Sequence, residues 1–304
     1  MELKIISVSL ASEKGRKFSV DKIILDQSGV IGDAHSITSG AISMIDQFHI
    51  DAFKQITSNL STEPGEFEEN IRIEGLGCTK VNAFDRFEND KVVLEVTQIG
   101  KSSHSSFLEI EHGVMPKAGI FMRVKQGGTL KAGDKLLYVP KIFKAKVITL
   151  SDRASKGIYE DKSGASIIEK LQAFFDNIGW KLLIDKQIIP DDQLKLHSQI
   201  EDATQKHYDL IFTTGGTGIG SRDITLSVVK PMLEHEIPGI MEHIRMKYGS
   251  LKPNALLSGG VAGTIGSAII YTLPGSQKAV AEYMHEILNT LKHLIYMKAD
   301  MDVH

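Results

Sequence analysis

The sequence predicts an α/β carboxy-terminal domain with a mainly parallel sheet flanked by helices, preceded by a mainly-β, barrel-like domain. Three observations predict it. Short aliphatic runs broken by turns fill the first half. From Lys146 onward, strand-like runs alternate with amphipathic helical ones, the rhythm of βαβ units. Between them, Val139-Pro-Lys-Ile-Phe-Lys-Ala145 reads as a connection. The expected domains are 1–141 and 145–304, and a 304-residue chain is long enough for both.

In the first half, Leu3–Leu10, Lys91–Gln98, Ile120–Lys125 and Lys135–Val139 are runs of strand length. Gln126-Gly-Gly128 and Ala132-Gly-Asp134 supply turns between them. Ile45, Phe48, Phe53 and Ile56 roughly follow helical spacing, so a helix is expected near Asp46 to Ile56. Many short strands with few helices suggest a barrel or a strongly bent sheet. Three polar clusters interrupt the pattern: Ile31-Gly-Asp-Ala-His35, Pro64-Gly-Glu-Phe-Glu-Glu-Asn70 and Gly100-Lys-Ser-Ser-His104.

In the second half, Val147–Leu150 leads into the loop 151–157, and a helix follows Ser163-Gly164. Leu182–Ile189 is the next strand, ended by Pro190, and Asp191-Asp192 opens another helix. An aspartate there suits an N-cap and the helix dipole. Leu210–Phe212 reads as a buried strand emptying into Thr213-Thr-Gly-Gly-Thr-Gly218, with Arg222 and Asp223 beyond. A loop of small residues before a helix is suited to holding an anion on backbone N–H groups. Ala268–Leu273 is the last strand, and a helix from about Lys278 to Met297 closes the chain. In parallel sheets, ligands bind beyond the carboxyl ends of the strands, and loops 151–157, 190–192, 214–223 and 274–278 all fall there.

Composition narrows the function. A net charge of −3 gives no basic footprint for nucleic acid. No apolar run is long enough to span a bilayer, and the amino terminus has no signal-peptide core, so a cytoplasmic protein is expected. Cys78 is the single cysteine, which excludes an intrachain disulfide and a cysteine-built zinc site. Cys78 itself is expected to be a small buried residue. His235, His243 and His285 lie at irregular spacing and are read as surface or packing residues.

The ordered motifs carry two resemblances. Gly-Asp-Ala-His35, Pro64-Gly-x-Phe-x-Glu-Asn70, Leu94-Glu-Val-Thr-Gln-Ile-Gly-Lys101 and Met115-Pro-x-x-Gly-Ile-Phe-x-Arg-Val124 resemble a MOSC domain over residues 1–140. Such domains carry cysteines where this chain has Ser103 and Ser105-Ser-Phe107. A serine cannot form a persulfide, so pterin or cofactor binding, or a purely structural role, is expected of this half rather than sulfur transfer. Asp33, His35, Glu69, Asn70 and His104 are the pocket candidates.

Thr149-Leu-Ser-Asp152 with Gly157 and Asp161-x-Ser-Gly164, Thr213-Thr-Gly-Gly-Thr-Gly218 with Arg222-Asp223, and Leu273-Pro-Gly-Ser-x-Lys-Ala-Val280 resemble MogA/MoaB proteins, from about residue 145 to the end. The resemblance implies a molybdopterin adenylyltransferase of molybdenum cofactor biosynthesis, with Mg-ATP and molybdopterin as substrates and a homotrimeric assembly. It implies catalytic roles for Asp191 and Asp223, the latter positioning Mg2+ and triphosphate. Ser151, Asp152, Thr214, Gly215, Gly216, Thr217, Gly218 and Arg222 would bind nucleotide and phosphate. Pro274, Gly275, Ser276 and Lys278 would border the pterin. Neither pyridoxal phosphate nor zinc is expected, and other cofactor-assembly proteins are candidate partners. The chain departs from the family pattern at Thr225-Leu226, at Leu257-Ser-Gly259 in place of Leu-Ser-Arg, and at Gln277. On the residues alone, Asp191 and Asp223 remain open to being helix caps. A non-catalytic molybdopterin or cofactor carrier and a Mg-dependent nucleotide hydrolase are the competing readings.

Overall fold

The chain folds as two compact units, Met1–Lys141 and Ile142–His304. The computed structural model describes residues 1–36, 41–56, 62–100 and 118–301. Among these, no helix is long and apolar enough to cross a membrane.

In the first unit the strands are β1 (Glu2–Leu10), β2 (Phe18–Val20), β3 (Lys22–Asp26), β4 (Gly29–Val30), β5 (Ile42–Asp46), β6 (Ile71–Glu74), β7 (Arg86–Glu88), β8 (Val93–Ile99), β9 (Ile120–Gln126), β10 (Gly128–Lys131) and β11 (Lys135–Val139). Helix α1 (Gln47–Ile56) follows β5. The order β11-β7-β8-β9-β5-β6-β1 is closed by pairing of β11 with β1, which makes a seven-stranded barrel. Closure removes the open edges of a sheet. Alternation in β1, β3 and β11 turns Leu3, Ile5, Ile23, Leu25, Leu136 and Tyr138 inward, as the two-residue period of a strand requires. Cys78 is exposed, contrary to the expectation of burial. Leu76 takes the interior position instead, and Cys78 lies on the turn closed by Thr79 N–H donating to the Leu76 carbonyl.

The second unit contains β12 (Ile142–Leu150), α2 (Asp152–Ser155), α3 (Lys162–Ile178), β13 (Lys181–Ile189), α4 (Gln193–Gln205), β14 (Leu210–Thr214), α5 (Thr225–Met232), β15 (His235–Glu236), α6 (Pro238–Gly249), β16 (Ala262–Ile265), β17 (Ala268–Leu273) and α7 (Gln277–Lys298). The sheet order is β13-β12-β14-β17-β16-β15. The first four strands are mutually parallel, and β16 and β15 add an antiparallel edge. Every residue of β14 and β17 is buried, because helices cover both faces of such a sheet. Leu196, Ile200 and Ala203 of α4 and Val228 and Val229 of α5 pack with Ile148, Leu150, Ile211 and Ile270 on one face. On the other, α3 packs against α7, and Phe143 meets Phe175 edge-on and stacks on Trp180 at 4.8 Å between centroids.

Candidate functional site

The parallel strands end level. Leu150 pairs with Ile189, Thr149 with Thr214, and Thr214 with Leu273. The loops after β12, β13, β14 and β17 therefore leave one edge at one height. The chain runs from β12 to β13 on one side and then to β14 on the other, so strand order reverses between the β12 and β14 loops. That is where a crevice opens in sheets of this kind.

The loop after β14 is stitched down at its start. Thr214 Oγ1 donates to the Pro274 carbonyl at 2.7 Å, and Gly215 N–H donates to Leu273 at 3.0 Å. Thr225 Oγ1 donates to the Gly215 carbonyl at 2.7 Å. Gly215 is at φ +101°, and a Cβ there would lie 2.4 Å from the Leu150 carbonyl oxygen. The Thr214 hydroxyl and Gly215 amide, assigned to phosphate on sequence grounds, are thus taken up by the fold. The N–H groups of Gly216, Thr217 and Gly218 have no acceptor among the described residues. These three amides are the loop's capacity for an anion.

The carboxylates sit around this loop. Asp223 Oδ2 accepts the Gly220 N–H at 2.9 Å and lies 2.6 Å from where a Cβ at Gly218 would stand. Glycine at 218 is what lets that carboxylate fold over the loop. Asp223 does not cap α5: the cap position is Ile224, with no side-chain bond. Nor does Asp191 cap α4, because Asp192 does so by accepting the Lys195 N–H. Asp191 is left to the crevice, where its own N–H donates to Asp152 Oδ1 at 3.2 Å. Burial raises the Asp191 pKa first, and the Asp152 and Asp223 charges add to this, while a hydrogen bond and Arg222 oppose it. Asp152, Asp191, Asp223 and Arg222 therefore share one electrostatic neighbourhood.

That donor set fits magnesium as a hard cation bound through carboxylate oxygens. Among the described residues, no three metal-ligating side chains stand close enough to hold an ion by themselves. Magnesium usually binds through one or two carboxylates plus substrate phosphates, and a cation here would offset both the burial of Asp191 and the added negative charge of Asp152 and Asp223.

Beside the loop lies a cleft of about 520 Å³, lined by Thr149 to Ser151, Tyr159 to Ser163, Thr214, Gly275 and Gln277. Asp161 is its most constrained wall. It caps α3 through the Gly164 N–H at 2.8 Å, accepts from Thr149 Oγ1 at 2.8 Å, and pairs with Lys186 Nζ at 2.9 Å. Burial alone would raise its pKa, but these donors outweigh burial and hold it below the usual carboxylate value. Ser163 Oγ donates to the Gly275 carbonyl at 2.7 Å. Sequence reasoning left Asp161, Tyr159 and Lys186 off the site. The aspartate three residues before Gly164 carries a capping signal, whereas Lys186 is placed only by its register opposite Val147.

Ser151 caps α2 through the Ala154 N–H, and Ser276 caps α7 through the Ala279 N–H. The Ser276 hydroxyl accepts that bond, and its exposed O–H keeps the capacity to donate. Pro274 is half-buried, Gly275 borders the cleft, and Lys278 is exposed. A hydrogen bond to Lys252 and that lysine's charge hold the Lys278 pKa below the usual lysine value.

In the first unit, three pocket candidates are built into the interior. Asp33 is fully buried, pairing with Lys17 Nζ at 3.3 Å and accepting from Asn70 Nδ2 at 2.8 Å and the His35 N–H at 2.8 Å. Asn70 Oδ1 accepts from the Ser43 N–H at 3.1 Å. Glu69 accepts from the Gly65 and Phe67 N–H groups and from the Arg72 guanidinium. Their hydrogen bonding is taken up by the fold, so they tie the 64–70 loop to the barrel rather than line an open pocket. His35 is part-exposed, with Nδ1 3.5 Å from Asp33 Oδ1. His104 lies outside the described residues.

The comparisons with known proteins fall on the second unit. The profile of the family described as "probable molybdopterin binding domain" matches residues 146–293. The chain is 36% identical over 163 residues to a molybdopterin adenylyltransferase of Pyrococcus furiosus, which covers 51% of this chain and 92% of the relative. Through this unit the chain belongs to the molybdopterin-binding domain family. It is also similar to molybdenum cofactor biosynthesis protein B of Staphylococcus aureus, with 36% identity over 50% of this chain and 90% of that protein. Gephyrin of Dictyostelium discoideum is 34% identical over 49% of this chain but only 21% of its own length. Among solved structures, the tungsten cofactor synthesizing protein MoaB of Pyrococcus furiosus matches 53% of this chain and 99% of that one, with 33% identity and a TM-score of 0.47.

Proposed function

We propose that the second unit adenylylates molybdopterin at the expense of Mg-ATP. The observation that carries this reading is the set of three N–H groups at Gly216, Thr217 and Gly218, flanked by Asp223 and close in charge to Asp191. In the reaction, an oxygen of the molybdopterin terminal phosphate attacks the α-phosphorus of ATP. A new P–O bond forms, the bond from the α-phosphorus to the β-bridging oxygen breaks, and pyrophosphate leaves with that electron pair.

Transfers of this kind rest on positioning and on neutralising negative charge. The loop amides hold phosphate oxygens, and Arg222 adds a cation at the rim. Asp223, fixed by the Gly220 N–H, and Asp191, released from capping by Asp192, would hold magnesium. The ion would offset charge on the phosphates.

For the barrel, we infer a MOSC-like role in binding pterin or finished cofactor. The interior positions of Asp33, Glu69 and Asn70 leave His35 as the described candidate that faces solvent.

A second reading, a non-catalytic carrier, draws on the Leu226 side chain standing where an arginine at 259 would begin. Incubation of purified protein with Mg-ATP and molybdopterin, with products resolved by mass, separates the two. Adenylylated pterin that disappears in Asp223→Ala, with pterin binding retained, supports the transferase. Tight pterin binding without product supports the carrier.

A further inference from the structure

The cleft beside the phosphate loop has a feature that the loop does not explain. Tyr159 stands on the segment between α2 and α3 and is 46% exposed. Its hydroxyl lies 2.9 Å from Ser151 Oγ, and the Arg153 guanidinium sits over its ring, 5.1 Å from the centroid. The segment is held at both ends. Ile158 N–H donates to the Arg153 carbonyl at 3.0 Å, and Asp161 is locked by its three partners. Among the described residues, no second aromatic ring packs on Tyr159. A flat, oriented ring with one face covered by a cation is thus kept at the wall of a cleft.

The polar groups of the inner wall are already satisfied. Asp161, Thr149, Ser163 and Thr214 bond to one another, to Lys186 or to backbone carbonyls. Of the lining residues, Lys162 is the exposed cation, and Thr214, which also lines the cleft, leads into the loop that carries the three amides. At the rim, the Glu160 carboxylate can accept from, and the Gln277 amide can donate to or accept from, the edge of a ring bearing amide-like groups. An inner wall whose carboxylate, Asp161, is already paired with Lys186, an aromatic face and a hydrogen-bonding rim fit a planar heterocycle better than a phosphate.

From this we infer that Tyr159 is the stacking residue for the planar, bicyclic heteroaromatic ring of a substrate whose phosphate lies on the 216–218 loop. Arg153 holds the tyrosine from behind, and the Ser151 hydroxyl fixes its tilt. The inference rests on the proposed function for the identity of that ring, because the reaction offers two, a pterin and an adenine. Stacking acts on position and affinity. It moves no proton.

The test is binding to the full chain of two fluorescent probes, 6-hydroxymethylpterin and 2-aminopurine riboside triphosphate, each of which is quenched on stacking. Tyr159→Leu removes the flat ring but keeps apolar bulk, and Tyr159→Phe keeps the ring. The leucine variant should lose about tenfold in affinity, and the quenching, for one probe, the size expected of an aromatic stack. The phenylalanine variant should stay within about twofold, and pyrophosphate binding should be unchanged in both, as expected when the loop amides and Arg222, not Tyr159, hold it. Loss confined to the pterin probe makes the cleft the pterin's; loss confined to 2-aminopurine makes it the nucleotide's. Unchanged quenching of both probes in Tyr159→Leu overturns the inference, as does failure of both to bind the wild-type chain. These readouts need no turnover, so stacking without adenylylated product would sink the transferase and leave Tyr159's role standing.

Discussion

Leu226 and Gly259 occupy one another's space. A Cβ at Gly259 would stand 2.8 and 2.9 Å from Leu226 Cδ1 and Cδ2 and 3.2 Å from the Thr217 carbonyl oxygen. Gly259 N–H donates to that same oxygen at 2.9 Å. Two of the three departures from the family pattern thus meet in space: the leucine fills the place where a side chain at 259 would start. Gly259→Ala should destabilise by about 1–3 kcal/mol, as overpacking does. Adding Leu226→Ala should recover much of that, a coupling read by urea denaturation of the two single variants and the double variant.

Neighbouring aspartates on the β13 loop should separate cleanly. Asp192→Ala removes the α4 cap and should cost about 1 kcal/mol of stability, with the proposed adenylylation retained. Asp191→Asn should leave stability equal or slightly higher, because the raised Asp191 pKa means that its ionised form is disfavoured in the fold. Its adenylylated product should fall sharply. Thermal melts and product mass on the same two variants check both outcomes.

Asp161 predicts an acid-dependent term. Its folded pKa lies below the unfolded value, so its stabilisation is complete above the unfolded carboxylate pKa. It is lost as pH falls from there through the folded pKa. Denaturation of wild type and Asp161→Asn across neutral to acidic pH should show a stability gap at neutrality that closes on acidification. A gap independent of pH would remove the carboxylate's charge from the account.

The buried Lys17–Asp33 pair should be costly to break from one side. Burial pushes the Lys17 pKa down while Asp33 pulls it up. Asp33→Ala leaves a buried ammonium with Ser43 Oγ at 3.5 Å and the more distant charges of Glu68 and Glu69. The loss should be about 3–5 kcal/mol, as for other buried pairs broken by removing one partner. Replacing both residues, Lys17→Met with Asp33→Leu, should be milder. Chemical denaturation followed by far-ultraviolet circular dichroism compares the two.

Much of this architecture was legible in the sequence for physical reasons. The alternation of strand and helix after Lys146 dictates a parallel sheet, and glycines with small polar residues after Phe212 mark the loop that the edge exposes. The antiparallel β15 and β16 were not legible, because His235-Glu236 is too short to show a period and Ala262–Ile265 carries none. Nor could composition tell which of Asp191 and Asp192 caps α4. That depends on where the backbone leaves the extended region, at Asp192 with φ −128° and ψ 120°. Asp33, Glu69 and Asn70 looked like pocket residues because polar clusters interrupt strands at sites and at tightly tied loops alike. Only their burial and hydrogen-bond partners distinguish the two.

Trp180 is the single tryptophan of the chain, and it lies in the second unit against Phe143. Its emission is therefore an optical label that nature has attached to one half of the molecule. Red-shift of that emission follows loss of the Phe143 stack in the second unit, while circular dichroism reports on both units at once. Whether the barrel and the sheet domain melt as one body or as two can thus be read from a single unmodified sample.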